Sequence, residues 1–214
     1  MKYLIGVLSI LMSLSVFGQT HSLGVKSGLS MTNVSSSDFV DTKFNPGFTG
    51  GLAYDLEFEN GFHLGIDILS AQKGFGLIIQ FTNETGLNNP RIDSEWVFKY
   101  IAFPMKAGLS VGDSKFSGIF YAGLVPSFLT LTEVRIPSFD GIAAQRLDQR
   151  EVVENFDIGG LLEAGLYCKI NEKFSLLGVL DFQHSFSKTA GSAFASARHY
   201  GMTFSVGAKY KLGS

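Results

Sequence analysis

The side chains best placed to do chemistry are ionisable ones spaced along apolar segments. Lys26, Asp55, Asp67, Lys106, Glu163, Asp181 and Lys209 each stand on the polar side of a stretch whose other side is apolar. Gathered in one enclosed space, they would form a ladder of ion pairs or line a narrow polar path, because unpaired charges are costly to bury. Catalysis needs more than this. His184 with Ser185 or Ser187 is the nearest approach to a nucleophile and base, yet adjacent strand residues point to opposite faces and no orienting group converges on them. His21, His63 and His199 are dispersed and lack metal-ligand spacing. No catalytic, cofactor-binding or metal-binding residue is assigned, and an enzyme is not expected. Cys168 is the only cysteine, so an intramolecular disulfide is excluded and the residue reads as a small apolar side chain.

The elements that would position these charges alternate in hydropathy with a period of two. Eight such segments are expected as strands: 22–32, 47–58, 62–73, 95–110, 116–131, 156–169, 174–186 and 200–212. Leu23, Val25, Leu29 and Met31 face away from Lys26 in the first; Leu52, Tyr54 and Leu56 face away from Asp55 and Glu57 in the second. Ile66 and Ile68 oppose Asp67 in the third, Val97, Ile101, Phe103 and Met105 oppose Tyr100 and Lys106 in the fourth, and Met202, Phe204 and Val206 oppose Lys209 and Lys211 in the last. The fifth is apolar on both sides and its orientation stays open; Pro126 within it suggests a bulge. In the seven segments that can be oriented, Lys99 is the one charge on an apolar face. A soluble barrel turns its apolar face inward, whereas a membrane barrel reverses the arrangement.

The connections and composition distinguish the two. Short polar turns at 59–61, 112–115 and 171–173 alternate with long polar connections near 33–46, 74–94, 132–155 and 187–199. That is the rhythm of an outer-membrane barrel with short periplasmic turns, longer outer loops and an even strand number. Of the 214 residues, 45% are hydrophobic and 17% charged, below the roughly 25% charge of a soluble domain. A net charge of −2 offers no basic field for nucleic acid. Residues 1–18 read as a signal peptide, with Lys2, an apolar core from Leu4 to Phe17 and a small-residue cleavage site, leaving residues 19–214 as one barrel domain. Phe62, Phe174 and Tyr210 on one rim, and Trp96, Phe98, Tyr100 and Tyr200 on the other, suit interfacial girdles. Asn83-Glu84-Thr85 fits a glycosylation pattern but reads as loop composition.

Gly24-Val25-Lys26-Ser27-Gly28-Leu29-Ser30, Tyr100-Ile101-Ala102-Phe103-Pro104 and Phe156-Asp157-Ile158-Gly159 resemble the porin-like outer-membrane β-barrel proteins that include the PorT-like group. The C-terminus also looks like a barrel-assembly signal in Ser205, Gly207, Tyr210 and Leu212, although Gly213-Ser214 follow where many such proteins end on an aromatic residue. The resemblance implies an all-β, eight-stranded antiparallel up-and-down transmembrane barrel in a Gram-negative outer membrane. Its expected partners are outer-membrane lipids, the assembly and export machinery, and an unidentified ligand at the outer loops such as 132–155. A barrel of eight strands is only wide enough for its own side chains, so a plugged interior is expected over a diffusion path. The expected role is structural or surface-interacting and non-enzymatic. The alternatives are a narrow channel or accessory of protein export, and a soluble secreted ligand-binding barrel.

Overall fold

The computed structural model describes residues 19–36, 41–82, 88–112, 115–138, 143–189 and 197–212. The expected signal segment 1–18, the Asn83–Thr85 pattern and the final Gly213-Ser214 lie outside the described residues. Strands run as β1 (Thr20–Ser35), β2 (Thr42–Glu57), β3 (Phe62–Thr82), β4 (Asn88–Ala102), β5 (Met105–Gly112), β6 (Phe116–Ile136), β7 (Gln145–Asp148), β8 (Phe156–Lys169), β9 (Phe174–Ser185) and β10 (Arg198–Leu212).

All pairings are antiparallel, and β1 pairs with both β2 and β10, so the sheet closes. β4 and β5 are two halves of one stave. Leu69 pairs with Ala102 and Ile66 with Met105, so the register is unbroken across Phe103-Pro104. The ladder is interrupted there because Pro104 and Pro126 have no N–H to donate. The remaining bonds cross the gap: Asp67 N–H donates to the Pro104 carbonyl and Phe103 N–H to the Pro126 carbonyl, at 2.9 and 2.8 Å. Counting that stave once, and β7 as an addition to β6 outside the ring, the barrel has eight staves.

The bulge expected at Pro126 is therefore one of ladder bonding and not of register. The register shift in β6 falls instead between Leu129 and Leu131, opposite Tyr100 and Lys99. Following paired residues from Leu23 through Tyr54, Ile66, Met105, Leu124, Gly160, His184 and Tyr200 returns to β1 at Asn33, a stagger of ten residues. With eight staves, that shear tilts the strands by about 40° and leaves a bore that side chains can fill.

The turn between β2 and β3 shows how tightly one end is closed. Gly61 N–H donates to the Phe58 carbonyl and Phe58 N–H to the Phe62 carbonyl, while Gly61 takes φ +77°, the left-handed conformation that ends a three-residue hairpin loop. At the other end the strands overshoot the expected boundaries. β3, β4 and β6 continue to Thr82, from Asn88 and to Ile136, through stretches that read as loops in the sequence.

The faces are inside-out. Leu52, Ile66 and Phe204 are 59, 43 and 58% exposed, and Leu29, Phe48, Phe120, Leu162, Leu166 and Met202 join them around the circumference. Asp55, Asp67 and Glu163 are buried in the bore. β6 is now oriented: Phe116, Phe120, Leu124 and Phe128 face out, while Ile119, Tyr121, Val125 and Leu129 are buried inside. Val97 has the outward parity of its strand but is buried. Water-solubility is incompatible with such a belt, and the soluble ligand-binding barrel is set aside.

An arginine in place of Phe204, midway along β10 beside Leu29 and Leu180, puts a charge against hydrocarbon. Phe204→Arg is expected to destabilise the folded barrel by about 2–4 kcal/mol, and Leu212→Lys near the rim by about 0–1 kcal/mol. Urea unfolding in lipid vesicles, followed by fluorescence of the sole tryptophan, Trp96, measures both.

Candidate functional site

The inward charges fall into three tiers, which β3 visits in order as it rises from the turn end: His63, then Asp67, then Lys73. The first tier centres on Asp55. Its carboxylate accepts from His63 Nδ1 at 2.9 Å and from the Tyr121 hydroxyl at 2.6 Å, and pairs with Lys209 Nζ at 3.2 Å. Lys209 also donates to the Tyr167 hydroxyl.

The second tier is a ring of alternating sign. Lys26 Nζ lies 2.7 Å from Asp67 Oδ2 and 3.2 Å from Glu163 Oε2; Lys106 Nζ lies 3.1 Å from Asp67 Oδ2 and 2.9 Å from Glu163 Oε1. Each cation touches both anions, so none of the four is left uncompensated in the low-dielectric bore. In the third tier Lys73 pairs with Asp157 at 2.7 Å, and Asp157 also accepts from the Ser185 and Ser187 hydroxyls.

Three of the four lysines in the tiers also sit over an aromatic face. Lys106 lies 4.7 Å from the Tyr121 ring centre, Lys209 4.5 Å from Tyr167 and Lys73 5.3 Å from Tyr100. The ring quadrupole supplements the carboxylates where water is scarce. Thus Lys26, Asp67, Lys106 and Glu163 come together in one cluster, and Asp55 and Lys209 in a second. Asp181 is buried on the same face but forms no ion pair among the described residues; it accepts from the Gln183 amide at 3.1 Å.

Sequence reasoning missed several members. Tyr121 lies on the strand that could not be oriented, and His63 was set aside for want of metal-ligand spacing. Lys73 and Asp157 fall on the polar faces of their strands by the same count that leaves Lys99 alone on an apolar face, and only their place in the ladder is not legible in the sequence. The proposed upper girdle needs correction. Phe98 and Tyr100 are each 1% exposed and, with Phe75, Trp96 and His199, form an aromatic plug inside the loop end. Phe98 meets the His199 ring edge-on at 4.8 Å between centroids. Tyr200 does stand at the outer rim, packed edge-on to Phe44, and Phe174 meets Tyr210 at the opposite rim. Ser185 and Ser187 are engaged with Asp157, so neither is paired with His184. The described residues contain no cluster of metal-binding geometry.

In β10, Ser205 is buried inward and Tyr210 and Leu212 face outward. Gly207 sits where a Cβ would come within 2.3 Å of the Val25 carbonyl oxygen, so only glycine lets the last strand approach the first this closely. Beyond the second tier the cavities shrink. One of about 10 Å³ lies beside Lys26, Glu163 and Asp181, and one of about 30 Å³ lies below the plug beside Lys73 and His199. Each has room for only a water or so.

A family model described as "Outer membrane protein beta-barrel domain" matches residues 17–191. The chain belongs to the outer membrane protein beta-barrel domain family. Membership puts lipid, not water, against the apolar belt, and β10 completes the ring beyond the matched region.

Similar solved structures include Neisserial surface protein A, at 12% identity over 89% of this chain and 97% of that one, with a TM-score of 0.48. Ail, the attachment invasion locus protein of Yersinia pestis, in complex with the heparin analogue sucrose octasulfate, matches at 17% identity over 90 and 99%, TM-score 0.42. OprG from Pseudomonas aeruginosa matches at 10% over 92 and 98%, TM-score 0.44. No protein with a curated description matches the chain.

Removing one member of the ring should be worse than removing a pair. Lys106→Met leaves Asp67 and Glu163 sharing one cation, and is expected to cost about 3–5 kcal/mol in vesicle unfolding. The double variant Lys106→Met, Asp67→Leu leaves Lys26 paired with Glu163 and should recover most of that loss.

Proposed function

We propose that this family member is a non-conducting outer-membrane barrel that works by surface interaction at its loop end. The observation that carries this reading is the filled bore, with paired charges in three tiers and an aromatic plug above them. A barrel filled in this way is a rigid mount, and what it presents are the segments beyond the belt.

Those segments are structured. β7 extends the overshooting end of β6, pairing Val134 with Leu147 and Arg135 with Arg146. Arg135 pairs with Glu133, Arg146 and Asp148 are exposed, and Arg150 reaches back to the Thr130 carbonyl. Elsewhere on the same end Lys43 of β2 pairs with Asp93 of β4, both exposed. Binding tends to reside on such loops held by a rigid scaffold. Partners on this reading are the surrounding lipids, the assembly machinery that receives the C-terminal strand, and a ligand met by the charged β6–β7 hairpin. This reading assigns no catalytic role, and Ser185 and Ser187, beside His184 in sequence, donate to Asp157.

Purified barrel in planar bilayers should show no steady ion conductance. Regular single-channel steps would overturn the reading in favour of transport. A role as accessory of protein export requires that deletion impair secretion; the surface role expects secretion to be unchanged.

A further inference from the structure

The opposite end of the barrel is built differently. Below the first tier the bore opens at the turn end into a vestibule of about 610 Å³, within the range of small-molecule sites. Its wall is rich in hydroxyls, from Ser22, Ser110, Ser117, Ser175 and Tyr167. Lys169, Lys173 and Lys211 line it against Glu57 and Glu172, while Lys209 and Asp55 on the floor neutralise one another. The basin therefore carries an excess of positive charge.

A second, independent feature lies on that floor. His63 is 2% exposed and its Nε2 has no hydrogen-bond partner. The ring cannot turn to find one. Nδ1 is held 2.9 Å from Asp55 Oδ2, and the ring packs edge-on to Tyr121 with centroids 6.0 Å apart. Asp55 is itself committed to Tyr121 and Lys209. Since Nδ1–H donates to the carboxylate, Nε2 is the free position: a lone pair in the neutral ring, an N–H in the imidazolium. A buried ring nitrogen left without a partner is costly, and sites where one persists call for an explanation.

We propose that the turn-end vestibule binds a hydroxylated oxyanion, a carboxylate or phosphate carried on a sugar or polyol, with His63 on its floor as the innermost polar side chain. The lysines at the mouth attract the anion, and charge-assisted hydrogen bonds from them are the strong ones. Serine and tyrosine hydroxyls both donate and accept, which suits the mixed demands of a polyol. The site is closed to the loop end by the tiers above it, so ligand enters and leaves from the turn side. It is independent of the surface role, being at the other end of a sealed bore.

The test uses the full barrel in detergent micelles with 15N-labelled histidine, titrated at constant ionic strength with gluconate, glucose 6-phosphate, glucose and inorganic phosphate. The His63 Nε2 resonance should shift saturably with gluconate, glucose 6-phosphate or both, and which of them binds identifies the anion. Glucose and inorganic phosphate should bind at least about tenfold more weakly, each lacking half of the recognised chemistry. The rim variant Lys173→Gln, Lys211→Gln leaves the buried network intact and should weaken the preferred ligand by about tenfold. His63→Gln should abolish the binding followed by calorimetry, with heat-modifiable gel mobility confirming the fold. Absence of a saturable shift with every probe overturns the proposal, as does equal binding of glucose or of inorganic phosphate, or an affinity indifferent to the rim variant.

Discussion

Hydrocarbon offers no hydrogen bonds, and nearly every other feature of this protein follows from that one constraint. The backbone must satisfy itself, so β1 and β10 must meet and the sheet must close. Closure with eight staves creates a bore too narrow for bulk water. An ionised group turned inward is then favoured only with a partner inside, an ion pair for most and the Gln183 amide for Asp181. The Lys26–Asp67–Lys106–Glu163 ring is the direct result, with two cations and two anions in alternation and all four side chains almost completely shielded. The charge pairing and the closed wall are thus one solution. Each is stable only because the other excludes water.

The prolines test how strictly the constraint applies. Pro104 and Pro126 remove donors from adjacent staves, and an open sheet edge at that height would be unacceptable in lipid. The wall tolerates them because neighbours supply what can be supplied: Asp67 and Phe103 still donate across the gap. The unbroken register shows that the loss is local. Asp67, whose backbone bridges this gap, also carries the carboxylate shared by both lysines of the ring. The interrupted stretch of ladder is thereby tied to the charge ring.

Parity made much of this legible in the sequence. A charge on the polar side of an alternating stave can point only into the bore, so the inward set and the outward belt follow from residue order alone. The Asn60-Gly61 turn was equally plain, because its geometry demands a residue free to take positive φ. Pairing was not legible. Lys26 and Glu163 are 137 residues apart in sequence, and they meet only through the ten-residue stagger accumulated around the whole wall. The lengths of β3, β4 and β6 were also hidden, since strands that leave the membrane lose the outward apolar residues that mark them. The aromatic plug was misread for a different reason. Girdle and plug have the same composition, and only parity separates them: Phe98 and Tyr100 share a face with Lys106, which the charges had already turned inward.

The two ends of the bore use opposite chemistry, and the energetic reason lies in what each must exclude. At the loop end Phe75, Trp96 and Phe98 stack with near-parallel rings, and His199 is wedged among them. An apolar plug seals without needing any counter-charge. At the turn end the Asp55 network is polar and lies beneath a wide opening, although Asp55 and His63 are themselves buried. A seal made of charges would leak whenever a partner left, whereas one made of rings would not. Placing the rings outermost and the charges beneath them therefore shields the ion pairs from the loop end and leaves a polar, lysine-lined basin at the turn end, so the barrel is asymmetric along its axis.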